Sequence, residues 1–313
     1  MKTRIWLALF AVYLAWGSTY LAIRFAVETI PPFLMAATRF LIAGLLVFIW
    51  RRAAGDPPPN KVQWRSAFII GFFLLLGGIG VVAWAEQRIP SGITALIVAS
   101  APVFMVLIDA LRPGGIRPNW QTLMGVLVGL AGIGLLVGPA ELSGNHLGLD
   151  PSGVMALLLA SLLWAVGSLY SRTAELPASP LLGTGMEMLA GSVGLFAMGT
   201  LSGEWGRLHL AAITSSSLWG LAYLVVVGSL VGFVAYTWLL RVAPTPLVAT
   251  YAYVNPLLAV MVGSLLGRET LLPRVLLALA IIVSAVALIN TGRARASRRV
   301  SEEFRFAPTS GED

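Results

Sequence analysis

Residues 16–24 read WGSTYLAIR, and residues 164–172 read WAVGSLYSR. A shift of 148 positions lays Trp16 on Trp164 and Arg24 on Arg172. The same shift lays Pro32 on Pro180 and Arg39 on Glu187. A shift of 154 then lays Trp84 on Trp238, Pro90 on Pro244 and Pro102 on Pro256. Coincidences that stay in register across four apolar runs mark an internal repeat.

The runs themselves set the class. Of 313 residues, 58% are hydrophobic and 11% charged, with mean hydropathy +0.85. A soluble domain of that size cannot hide so much apolar surface, so the chain reads as an integral membrane protein. Charge-poor windows of bilayer-spanning length fall near 5–23, 33–50, 66–85, 91–111, 119–139, 151–172, 181–202, 216–240, 246–267 and 272–291. They are continuously apolar and do not alternate in steps of two, which excludes a transmembrane barrel.

Ten spans divide into five per repeat, and an odd number makes the second repeat enter the membrane from the opposite side. Arg24, Arg88, Arg207, Arg268 and Arg274 flank one face; every other Lys and Arg except the intramembrane Arg39 flanks the opposite one. The basic excess marks the cytoplasmic side and carries both termini. The expected fold is therefore an all-α membrane protein with ten transmembrane helices as two inverted five-helix repeats. Its parts are 1–145, 146–292 and a basic, polar, disordered cytoplasmic tail at 293–313. The net charge of +7 belongs to this asymmetry and to anionic lipid headgroups, not to nucleic acid. Residues 1–23 resemble a secretory signal in their basic start, but no small-x-small site closes the run, so they read as the first span.

The stretch YAYVNPLLA at 251–259 places Pro256 in mid-span beside Asn255, Tyr251 and Tyr253. Proline deprives a carbonyl one turn back of its partner, which a span tolerates only beside protein or a water-filled cavity. Pro102 and Pro256 therefore read as kinks, either of packing alone or of a pathway through the fourth and ninth spans. The positions matching Tyr251 and Asn255 are Ile97 and Ala101, and only Ser100 adds a hydroxyl to the fourth span. Symmetry in prolines with asymmetry in polar groups suits a small asymmetric ligand; an interhelical hydrogen bond from Asn255 is the other reading.

Trp16, Tyr20 and Arg24 form one helical stripe, with Ser18 and Thr19 beside it; Trp164, Ser168 and Arg172 form its counterpart. Each stripe either lines a path from the midplane to a mouth or anchors its helix at the interface. Arg39 and Glu187 lie inside spans, where ionised groups face the bundle interior. They either pair, or Arg39 caps carbonyls while Glu187 exchanges protons. Glu86 is a second proton-carrier candidate, with a headgroup-level carboxylate as its alternative. Gly125, Gly129, Gly132 and Gly134 make a small-residue face for close packing or for a weak homodimer.

The segments AWGSTYLAIR, PPFLMAATRFLIAG, AEQRIPSGITALIVASAPVF, WAVGSLYSR, EMLAGS, TYAYVNPLLAV and GRETL resemble, in order and spacing, the EamA-type members of the drug/metabolite transporter superfamily. The resemblance covers residues 5–292. It implies a ten-helix inverted repeat that exports small metabolites or xenobiotics across the bacterial cytoplasmic membrane. Glu269 falls where such proteins carry a Glu after the ninth helix; the repeat-related position is Gly115, so a symmetric acidic gate pair is absent.

Chemistry is disfavoured. The two histidines, His146 and His209, lie in loops and there is no cysteine. No H-E-x-x-H, G-x-S-x-G or P-loop pattern occurs, and no filter or charge ring marks a channel. The expectation is a gradient-driven transporter without cofactor or metal. It takes a small amino-acid-like or amphipathic aromatic substrate, by export, import or exchange, with protons as a candidate coupling ion. It works as a monomer or weak homodimer.

Overall fold

The computed structural model describes residues 2–112, 118–136, 149–243 and 250–306. Every regular element among them is helical. In the first half α1 runs Lys2–Ala26, α2 Pro32–Ala53, α3 Lys61–Ala85, α4 Ser91–Leu111 and α5 Trp120–Leu136. In the second, α6 runs Pro151–Ser171, α7 Pro180–Leu201, α8 215–242, α9 Tyr251–Gly267 and α10 Pro273–Phe306. Eight of these helices are long and apolar enough to cross a bilayer; the apolar stretches Trp120–Leu135 of α5 and Val254–Gly267 of α9 are shorter.

Local chemistry sets the helix starts. α2, α6, α7 and α10 each open on a proline, whose fixed φ and missing N–H suit the first turn. α3 opens with a reciprocal capping box: Gln63 N donates to Asn60 Oδ1 at 2.8 Å and Asn60 N to Gln63 Oε1 at 3.1 Å.

Two features recur at matching places. α3 winds as π-helix over Gly71–Gly80 and α8 over Leu224–Val231, which overlap under the 154-residue shift. Glycines then bring backbones together across the halves. A Cβ built on Gly71 would lie 2.7 Å from Gly191 N of α7, and one on Gly44 of α2 would lie 3.0 Å from Leu189 N. α2 and α7 thus pack along each other, as do α5 and α10. On α5, a Cβ at Gly125 would meet Ile289 at 2.8 Å and one at Gly132 would meet Ile282 at 2.8 Å, whereas Gly134 faces open space. The small-residue face of α5 is used within the chain.

The largest apolar core fills the space among α1, α3, α4, α6, α9 and α10. A second core joins α2, α7 and the two π-helical segments. Outside, large apolar side chains stay exposed. Trp6, Trp50 and Trp120 stand at one end of the bundle and Trp205 and Trp219 at the other, as in an interfacial aromatic belt.

Two details go beyond the sequence pattern. α4 is interrupted at Ala99–Ser100, with Pro102 just after the break, whereas α9 continues unbroken through Pro256. And α10 runs helical from Pro273 to Phe306. The spacing of Arg298 to Glu302 and of Arg299 to Glu303 favours helix there, and Pro308 disfavours its continuation.

Candidate functional site

The parallel seam between α1 and α9 organises the site. Tyr13 Oη meets Thr250 Oγ1 at one end. Further along, Cβ atoms built on Gly17 and Gly267 would lie 2.7 Å from Leu258 and Leu21 respectively, so glycine on each helix admits the other. At the far end Arg24 pairs with Glu269.

Trp16 sits in this seam where α8 joins it. Its ring centroid lies 5.3 Å from Phe233, 5.0 Å from Tyr236 and 5.1 Å from Tyr251. Tyr236 and Tyr251 meet edge-on at 5.6 Å, and tilted and edge-on contacts are the favoured geometries for such rings. The indole N–H of Trp16 donates to Gly228 O of the π-helical segment at 3.2 Å. Gly232 makes room: a Cβ there would stand 2.4 Å from Trp16 Nε1. Trp164 does not join this cluster. It packs on Gly78 of α3, the position matching Gly232, with 2.9 Å from its ring to a built Cβ. Each repeat's tryptophan thus lies on the other half's π-helical helix, and among the described residues ring contacts form around Trp16 and not around Trp164.

One turn beyond Tyr251, Asn255 is buried, and its Oδ1 has no hydrogen-bond partner among the described residues. The same holds for Ser100 Oγ and Thr94 Oγ1 on α4, which packs against α9. Buried polar atoms are ordinarily paired, and these three, unpaired among the described residues, lie on neighbouring helices. Tyr20 packs against the main core and lies within electrostatic reach of Glu86. Ser168 O accepts from Ser171 Oγ, and Arg172 is exposed at the end of α6. The Tyr253 side chain and Gly115 lie outside the described residues.

Glu269 does more than pair with Arg24. Its Oε1 accepts from Ser91 N and Ser91 Oγ, both at 2.7 Å, and its Oε2 accepts from Gly92 N at 2.9 Å. It therefore caps α4, where orphan amides and the helix dipole favour a carboxylate. Glu204, which sequence reasoning passed over, does the same for α2. It is fully buried and accepts from Leu34 N at 2.9 Å and Phe33 N at 3.3 Å. Its only sequence signal is an acid directly after a span. Glu86 is 4% exposed, near Arg24 and Glu269, and both its oxygens are unpartnered among the described residues.

Arg39 and Glu187 form no ion pair. Arg39 is 3% exposed and donates from Nε to Ser229 Oγ at 2.9 Å, with its guanidinium 4.8 Å from the Phe40 ring. Entering from opposite faces leaves the two at different depths, and the backbone carbonyl of Glu187 lies against α3, 2.8 Å from a Cβ built on Gly71. At the other end of the bundle, Arg51 holds Asp56 through two hydrogen bonds of 2.9 and 2.7 Å, and Asn60 Nδ2 donates to Glu175 Oε1 at 3.0 Å. No cluster of three or more His, Cys, Asp or Glu able to hold a metal occurs among the described residues.

A helical bundle of this build, with paired π-helical segments and polar atoms kept between its halves, is that of a membrane transporter. The EamA-like transporter family matches residues 3–138 and again 151–291, and the chain belongs to it. It is 40% identical over 288 residues to the uncharacterized inner membrane transporter YedA of Escherichia coli K12, covering 91% of this chain and 90% of that protein. It is 29% identical to the transporter sll0355 of Synechocystis, covering 91% and 89%. The WAT1-related chloroplastic protein At3g02690 of Arabidopsis thaliana is 26% identical, covering 91% and 69%. A solved structure described only as "Crystal structure of protein" superposes with TM-score 0.63 at 22% identity, over 92% of this chain and 98% of that one, and supports the fold.

Proposed function

We propose that this chain is a secondary transporter of the bacterial cytoplasmic (inner) membrane that exports small amino-acid-like or amphipathic aromatic compounds by alternating access. It crosses the membrane ten times, as inverted repeats 1–145 and 146–292 with both termini in the cytoplasm. The observation that carries this reading is the aromatic cluster of Trp16, Phe233, Tyr236 and Tyr251, one turn from Asn255, whose buried Oδ1 has no partner among the described residues. Binding groups without acid–base or nucleophilic partners suit passage better than bond cleavage, and the chain is assigned no enzymatic role. Export rests on the family; an inverted repeat leaves direction to the gradients.

Glu269 with Arg24 acts as the gate at the periplasmic end, and the Arg51, Asp56 and Asn60 contacts close the cytoplasmic end. Protons are the coupling ion, carried by Glu86, with Arg24, Glu269 and Tyr20 as its charged and titratable neighbours, and by Glu187. Metabolite profiling of media from overexpressing and deletion cells tests the transport reading. A compound enriched outside overexpressing cells and depleted outside deletion cells is expected; identical media would sink it. Flux in vesicles that ignores an imposed pH gradient would remove the proton.

A further inference from the structure

The ion pairs among the described residues leave out the most deeply buried guanidinium. Arg24, Arg51, Arg88, Arg112 and Arg207 each have a carboxylate within reach: Glu269, Asp56, Asp150, Asp109 and Glu204. All five lie near helix ends. Arg39, 3% exposed and well inside α2, has none, and no acidic side chain acts on it. Its only hydrogen bond among the described residues runs from Nε to Ser229 Oγ, itself fully buried. The outer fork, Nη1 and Nη2, has no acceptor among the described residues.

Arginine keeps its proton where lysine would surrender it, so neutralisation is a poor escape from the cost of a buried, uncompensated cation. Such a charge inside a membrane span persists where it has a functional partner. The neighbourhood says where that partner sits. Arg39 Nη2 lies 3.0 Å from a Cβ built on Gly228, and Gly228 O is the acceptor for the Trp16 indole. The guanidinium and the aromatic cluster therefore flank one residue of the π-helical segment of α8, an irregular winding frequent at functional sites. Thr19 lies against the same glycine, 2.8 Å from its built Cβ, and the Phe40 ring lies under the guanidinium.

We propose that Arg39 is the anion anchor of the transported molecule. Nη1 and Nη2 take a carboxylate end-on in the bidentate geometry that guanidinium favours, Ser229 fixes the fork by holding Nε, and the aromatic cluster around Trp16 receives a flat apolar body. The cargo is thereby an aromatic carboxylate, and organic cations are rejected by an uncompensated positive charge. This rests on the transporter reading and names the substrate class for that same site.

The test titrates purified protein in detergent with phenylacetate, 2-phenylethanol and 2-phenylethylamine, which share a ring and differ in headgroup charge. Intrinsic tryptophan fluorescence is the readout. Saturable binding of phenylacetate is expected, at least tenfold tighter than either other probe. Arg39→Gln should lose that preference and Arg39→Lys keep part of it. Equal affinity for the three probes, preference for the amine, no saturable phenylacetate binding, or unchanged preference in a folded Arg39→Gln protein would each overturn the proposal. If Arg39→Gln does not fold, the three-probe comparison on the unmodified protein decides. Anion-selective binding without flux in vesicles would overturn the transporter reading alone; flux of cations without anion selectivity would overturn this one alone.

Discussion

Arg24 and Glu269 pair across the end of the α1–α9 seam, and the same carboxylate receives the amides of Ser91 and Gly92. One side chain thus joins three helices. Glu269→Gln should weaken the pair and the α4 cap together. With Arg24 partly exposed, the loss expected lies toward the lower end of the range of about 1.5–3 kcal/mol for hydrogen bonds to charged groups. Arg24→Gln combined with Glu269→Gln should cost less than the two losses added, by about 0.5 kcal/mol or more. Thermal melts of the four proteins measure this, and strict additivity would show the two side chains to be uncoupled.

Asn255→Ala removes a buried amide oxygen that no described residue satisfies. Stability should change by less than about 1 kcal/mol, since no protein hydrogen bond to that oxygen is lost. Transport should fall at least tenfold. Unimpaired flux of any compound found by metabolite profiling would remove Asn255 from the binding site.

Gly232→Ala places a methyl against the Trp16 indole, 2.4 Å from Nε1 before any adjustment. Overpacking of that kind costs about 1–3 kcal/mol and should impair transport by displacing Trp16 from Gly228 O. Gly134→Ala, with nothing within 4 Å, should be neutral or stabilising by up to about 1 kcal/mol through helix propensity. Equal melting temperatures for the two variants would contradict the close packing of Trp16 on α8.

Asp56 lies beyond the end of α2, where hydrogen bonds from Arg51 first and Ser179 second hold its carboxyl down at about 2. A carboxyl lowered from an ordinary value of about 4 contributes stability above that value and loses it as pH falls toward the lowered one. The melting-temperature gap between wild type and Asp56→Asn should therefore be level above about pH 5 and close as pH approaches about 2. A gap that persists unchanged to that acidity would mean that Asp56 is not held ionised by these contacts.

The spans were readable because apolar runs and helix-opening prolines are local signals, and the repeat because Trp16 and Trp164 hold their register. The π-helical segments were not, because winding is decided by glycine-lined contacts with helices distant in sequence, such as Gly71 against Gly191. Trp16 and Tyr251 stood out as polar-tipped aromatics beside obvious motifs. Phe233 and Tyr236, which complete their cluster, sit in a span with no such marker. The Arg39–Glu187 register suggested a pair, yet alignment along the chain says nothing about depth in the bundle, and Ser229 took the guanidinium's Nε. Glu269 and Glu204 show the same limit: an acid after a span is visible, the helix it caps is not.

The α1–α9 seam carries a mechanical consequence. From Tyr13–Thr250 through Gly17–Leu258 to Arg24–Glu269, the first helix is fastened over much of its length to a partner from the other repeat. α2 is bound to α7 and α5 to α10 in the same way. Opening the Arg24–Glu269 gate would therefore part helices of different repeats, while the α2–α7 and α5–α10 pairs, each drawn from both repeats, could travel together, so the line along which this molecule would flex does not coincide with the line along which its sequence divides.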